Sequence, residues 1–222
     1  GVWANEIEIG VKRDGGTYSA WIYGMAPGVT GVQMQKNGSG EWIAFQTAAS
    51  GEFDVESQHF GSLAALNADI AGDYVVQITH AGGVSQYSFT IVPARAEQFP
   101  EVPILAEVGA TVPAQQLFAW TWSGSADYKH VEYRGWNGAE GVQYAMMYSA
   151  ADAGFGELSL LADFGSYVGD AKFQIAYGND GRDLITRWSL RAGDEALFGA
   201  GEFHSYIASL DEARFQVVPE PT

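Results

Sequence analysis

Chemically capable residues are sparse in this chain, and the densest group lies late in it. Glu202-Phe203-His204-Ser205-Tyr206 sets an imidazole and a phenol two positions apart, with Arg187 upstream. A base, an acid and a guanidinium are what proton abstraction beside a uronic carboxylate requires. His204, Tyr206 and Arg187 are therefore the candidate catalytic set of a lyase-like enzyme. The competing reading is a run of solvated strand residues, and it is preferred because no recognisable catalytic motif surrounds them. Asn179-Asp180-Gly181-Arg182-Asp183 offers the oxygens of Asn179, Asp180 and Asp183 around a glycine, the outline of a calcium loop without its downstream bidentate Glu. Between two strand-like runs the same residues are ordinary hairpin chemistry. Beyond calcium at that loop, no cofactor is implied. His59, His80, His130 and His204 are not paired at metal-ligand spacing. Nucleophile-elbow, phosphate-loop and dinucleotide motifs are missing.

Aromatic residues suggest a different chemistry, the stacking of flat rings on sugar faces. Phe118, Trp120 and Trp122 alternate along one strand, and Tyr144 and Tyr148 share a face of another. Such period-two patterns usually mark a core. Trp136, followed by Asn137 in Arg134-Gly135-Trp136-Asn137-Gly138, sits among turn residues instead. Trp136 and Asn137 are therefore the candidate ligand-binding residues, because loop aromatics on a rigid scaffold are better placed for binding.

Composition narrows the partners. The chain carries 27 acidic against 11 basic residues, a net charge of −16. That field repels phosphate backbones and anionic membrane surfaces, so nucleic acid is excluded as a partner. With no cysteine there is neither a disulfide framework nor a thiolate metal site. A 47% hydrophobic share is enough for packed cores. No apolar run reaches the roughly 18 residues of a membrane helix.

The elements that must position these residues are strands. Short alternating runs, such as Glu6-Ile7-Glu8-Ile9-Gly10-Val11 and Thr17 to Tyr23, are broken every 8–12 residues by Gly, Asn or Asp turns. This rhythm predicts an all-β chain of two tandem β-sandwich domains. The expected division is 1–95, a Pro-rich extended linker at 96–103, a second sandwich (jelly-roll or immunoglobulin-like) at 104–218, and a tail at 219–222. Strands of the second sandwich are expected near 117–122, 130–134, 142–148, 172–177, 184–190, 203–207 and 213–218.

Asp69-Ile70-Ala71-Gly72-Asp73-Tyr74-Val75-Val76 is similar to the Asp-x-Ala/Gly-x-Tyr-x-Cys corner of immunoglobulin-like domains, with one residue added and Val76 at the cysteine position. Met34, in Met34-Gln35-Lys36-Asn37-Gly38, stands where that family places a buried Trp. The resemblance covers about residues 5–93. It implies an immunoglobulin-like first sandwich without a disulfide, a tyrosine-corner hydrogen bond from Tyr74, and Val76 packed against Met34.

Val218-Pro219-Glu220-Pro221 resembles the opening of a PEP-CTERM sorting signal. In that family a membrane helix and a basic cluster follow, and an exosortase recognises the whole. The resemblance implies an exported protein on the surface of a Gram-negative bacterium that makes extracellular polysaccharide. Exosortase would be a partner of the full-length chain, and membrane contact would come only through a helix beyond Thr222. Together these features favour a non-catalytic surface or matrix protein, adhesive, spacer or polysaccharide-binding. A polysaccharide-active enzyme is the alternative.

Overall fold

Short turns and alternating burial set the long strands of this chain, such as Glu6–Asp14 and Gly72–His80, and its computed structural model describes residues 5–136, 141–181, 184–199 and 202–219. In the first half the strands are β1 (Glu6–Asp14), β2 (Thr17–Met25), β3 (Val29–Lys36), β4 (Ile43–Ala44), β5 (Gln46–Thr47) and β6 (Glu52–Glu56). Helix α1 (Leu63–Ile70), β7 (Gly72–His80) and β8 (Gly83–Ile91) follow. Next come β9 (Ile104–Leu105), β10 (Thr111–Val112), β11 (Gln115–Thr121), β12 (Tyr128–Gly135) and β13 (Val142–Ser149). The last four are β14 (Ser159–Asp163), β15 (Gly169–Asp180), β16 (Ile185–Leu190) and β17 (Phe203–Val217).

Two units partition the chain. One holds the chain up to Lys12, Gly16–Gln98 and Asp180–Ile207; the other holds Arg13–Gly15, Phe99–Asn179 and the chain from Ala208 on. In the first, β1 lies between β2 and β17 in a sheet continued by β6 and β5, and the facing sheet runs β16-β8-β7-β3-β4. Ile7, Ile9 and Val11 of β1 are buried while Glu6, Glu8 and Lys12 point the other way. The burial follows the period of two that one dry face demands.

This first sandwich is immunoglobulin-like and has no disulfide. The Tyr74 hydroxyl donates to the Ile70 carbonyl at 2.7 Å, the tyrosine-corner bond. Helix α1 starts at the Ser62 cap, whose hydroxyl accepts from the Ala65 N–H at 3.2 Å, and buries Leu66 and Ile70 one turn apart. Leu66 and Ile70 anchor it through its last turn. Met34 and Val76 are cross-strand neighbours on β3 and β7. Val76 is buried as expected, but Met34 is only half-buried.

The second sandwich pairs β13-β12-β15-β17, with β10 added parallel to β17, and faces a small sheet of order β14-β11-β9. Its core is aromatic, with Phe118 stacked on Phe173 at 4.2 Å and Trp122 on Tyr177 at 3.7 Å. Trp120 and Tyr177 meet in a buried hydrogen bond of 3.1 Å. Lys129, 1% exposed, points inward from β12. Its ammonium donates to the carbonyls of Gly154 and, at 2.8 Å, Glu157. The rings of Trp120 and Tyr148 lie 5.4 and 4.9 Å away. Burial holds this amine below the ordinary lysine pKa.

The division differs from the expected 1–95 and 104–218 at residues 13–15 and 180–207. Residues 184–190 and 203–207, expected in the second sandwich, belong to the first unit. The reason is a free sheet edge: β16 pairs antiparallel with β8, Ile185 opposite Ile91. The stretch expected as an extended linker is packed instead. It contains a 3₁₀ turn at Ala96–Gln98, Phe99 is buried, and the Pro100 carbonyl accepts from Arg13 at 2.7 Å and Ser209 at 2.6 Å.

Candidate functional site

Strand β12 alternates inward Val131 and Tyr133 with outward His130, Glu132 and Arg134. Trp136 follows Gly135 by one residue and keeps the outward phase. Gly135 is required there, because a Cβ would meet the Tyr167 ring at 2.2 Å. The Trp136 N–H donates to the Asp170 carbonyl at 3.2 Å, which fixes the backbone beneath the indole. The indole remains 40% exposed.

Two guanidiniums flank it. Arg134, two residues earlier on the same face, lies 5.3 Å from the ring centroid; Arg214, from β17, lies 5.7 Å away. Cation–aromatic contacts at such range contribute about 0.5–1 kcal/mol when exposed. Both side chains are open, at 48% and 66% exposure. Across the ladder Arg134 stands between Gln143 of β13 and Lys172 of β15. Glu132 draws both cations, Lys172 at 3.3 Å and Arg134 at 3.8 Å, while Glu212 holds Arg214 at 3.0 Å. Burial keeps His130 below its ordinary pKa, so it is neutral near pH 7. Arg134, Lys172 and Arg214 stand here with two carboxylates, Glu132 and Glu212, a patch far less acidic than the −16 of the whole chain. Chemically, a flat indole stacks on a sugar ring, and a guanidinium takes a carboxylate or sulfate in a forked pair of hydrogen bonds.

The catalytic candidates are arranged differently. His204 and Tyr206 do share a face, their rings 6.2 Å apart. Arg187 stands on β16, in the opposite sheet of the first unit, exposed at a bulge with φ +58°. Trp188 and Phe203 stack at 4.4 Å inside that sandwich, so His204 and Tyr206, on the other side of β17 from Phe203, face away from it. The expected convergence of the three does not form. Instead Glu6, Glu8 and Asp180 lie near the Tyr206 phenol, which burial and then these carboxylates push above its ordinary pKa. The carboxylates around this protonated phenol repel a uronate.

At the candidate calcium loop, the Asn179 Oδ1 accepts the Asp127 N–H at 3.2 Å. Gly181 N–H donates to Ser205 O at 2.8 Å as strand-end pairing. Among the described residues no three acidic or His side chains cluster for a metal. Asp183 and Asn137 lie outside the described residues, as do Glu220 and Pro221 of the tail. Val218 N–H donates to the Val112 carbonyl at 2.9 Å, and Pro219 follows it past the end of β17. Of the face described here, Arg134 and Trp136 are visible in the sequence as an i, i+2 pair. Arg214, about 80 positions on, carries no local signal.

No protein-family model matches the chain, and no curated protein matches it. Solved structures similar to it include the FN1-FN3 domains of chicken CNTN1 (10% identity, 85% of this chain and 65% of that one, TM-score 0.26). A 1.5-MDa bacterial ice-binding adhesin is similar at 11% identity over 99% of this chain and 66% of that one, TM-score 0.24. A tetra-tandem repeat in the extending region of a large adhesion protein is similar at 10% identity over 96% and 49%, TM-score 0.25. The chain thus spans about two thirds of the length of the first two and half of the third. At these scores the fold class rests on the strand pairing described above. Among the described residues no helix is long and apolar enough to cross a membrane.

Proposed function

We propose that this chain is a non-catalytic module of an exported bacterial surface protein that binds acidic polysaccharide on the outer face of its second sandwich. The observation that carries the reading is the exposed Trp136 indole between the Arg134 and Arg214 guanidiniums. The ring supplies stacking, the two cations supply recognition of carboxylate or sulfate, and Gln143 beside Arg134 supplies amide hydrogen bonds. The Val218-Pro219-Glu220-Pro221 motif, similar to a PEP-CTERM sorting signal, supports the surface address and exosortase as the partner of a longer chain.

Calorimetry with a polyuronate and an uncharged glucan of equal length tests the binding. The polyuronate binds and the glucan binds more weakly; Trp136→Ala lowers polyuronate affinity about tenfold, the loss of one stacked ring contact. Equal affinity of Trp136→Ala and the parent chain overturns the site. Release of unsaturated sugar from the polymer overturns the non-catalytic reading. Surface protease accessibility of the protein in its own cells tests the address, and strict cytoplasmic retention refutes it.

A further inference from the structure

The first sandwich is not sealed. Between its two sheets lies a cavity of about 250 Å³ that opens to solvent. Ile9, Val11 and Ile22 line it from one sheet, and Met34, Tyr74 and Ile91 from the other. Native interiors leave few voids larger than a water molecule, and an apolar cavity of about 150 Å³ already stays dry and takes up benzene. The mouth lies beside the two-residue edge strand β4, where Ile43 is 45% exposed and Met34 is half-buried. Polar atoms near the space already have partners: the Tyr74 hydroxyl donates to Ile70 O, and the Lys36 ammonium to Asp69 O at 2.8 Å. Glu56, at the rim, is paired with Lys12 at 2.7 Å. A charged or strongly hydrogen-bonding guest would therefore enter at the cost of its own unmet polar groups. Glu41 and Asp69 add negative charge at the rim and disfavour an anion further. Two sheets facing at roughly 10 Å leave a slab, which suits a flat guest.

We propose that this cavity binds an uncharged aromatic molecule of one or two fused rings. The ring lies between the sheets against Met34 and Ile22. Thioether–ring contact adds to apolar burial there.

Indole is the probe. Titrated into the isotope-labelled chain, it gives saturable shifts of methyl signals from Ile9, Ile22, Met34 and Ile91, and it raises Tm by a few degrees at saturation. Met34→Trp fills the space from within: its Tm rises and the indole shifts vanish. Ala20→Leu, from the facing sheet, fills it independently should Met34→Trp misfold. Trp136→Ala leaves indole binding unchanged, which separates this site from the polysaccharide reading. No saturable methyl shift in the parent chain overturns the proposal, as does undiminished indole binding in a folded filling variant.

Discussion

Two outer sheet faces of this molecule carry aromatic rings, and they differ in what surrounds the ring. On the first sandwich Trp21 lies over Gly10, and its indole N–H donates to Glu8 at 3.2 Å. Tyr23 beside it donates to Glu52 at 3.1 Å, and burial followed by that carboxylate pushes the phenol up to about 12. On the second sandwich Trp136 stands exposed between two arginines. An aromatic ring on a sheet face is therefore not a site by itself. A ring laid flat against a glycine with its N–H engaged is wall, even with the Lys12 ammonium 6.0 Å away; a ring left open beneath two guanidiniums is a platform.

The comparison is broken most severely by reversing charge on the platform. Arg134→Glu with Arg214→Glu replaces both cations at the Trp136 ring by carboxylates, and polyuronate affinity in calorimetry falls by ~100-fold or more, two tenfold steps. Preserved affinity would mean that the ring alone binds. The next effect is on the wall. Gly10→Val places a Cβ about where the Trp21 ring now lies, at 2.2 Å from its nearest atom. Urea denaturation should show a loss of about 1–3 kcal/mol, the usual cost of overpacking. Polyuronate binding should not appear on the freed indole, because the carboxylates remain.

The smallest effect sharpens the electrostatic contrast. Burial, then the nearby Glu6, raises the Glu8 carboxyl above its ordinary 4.5, and the Trp21 N–H only partly offsets this. A raised carboxylate pKa means the folded state holds the proton more tightly, so stability falls as pH rises from about 4.5 through the raised value. Glu8→Gln keeps an acceptor for Trp21 and does not titrate. Its Tm should exceed the parent's at pH 7, and the gain should shrink to nothing below pH 4. A pH-independent difference would point to packing instead.

Much of the fold was readable in the order of residues, and the reasons are local. Alternation in Glu6 to Val11 specifies a half-buried strand, and the run from Asp69 to Tyr74 marks the corner bond. What local pattern cannot supply is a strand's partner. Residues 184–190 read as a strand, and β16 spans Ile185–Leu190, yet it pairs with a strand about 100 positions earlier, because the open edge of β8 lies there. The candidate site divides the same way. Arg134 and Trp136 are close in sequence, while Arg214 arrives through the register of β17 and could not be named in advance. His204, Tyr206 and Arg187 failed as a set for the same reason, since nothing in their spacing says that a sandwich core separates them. The cavity left no trace in the sequence beyond Met34.

Lys129 gives the second sandwich a built-in reporter of its own opening. An amine 1% exposed, closed in by two carbonyls and two rings, is out of reach of acylating reagents while the sheet is intact. The surface lysines acylate at once, whereas Lys129 acylates only in the fraction of molecules that have transiently opened. Its labelling rate, read by mass spectrometry against theirs, therefore measures the opening equilibrium of this unit under native conditions.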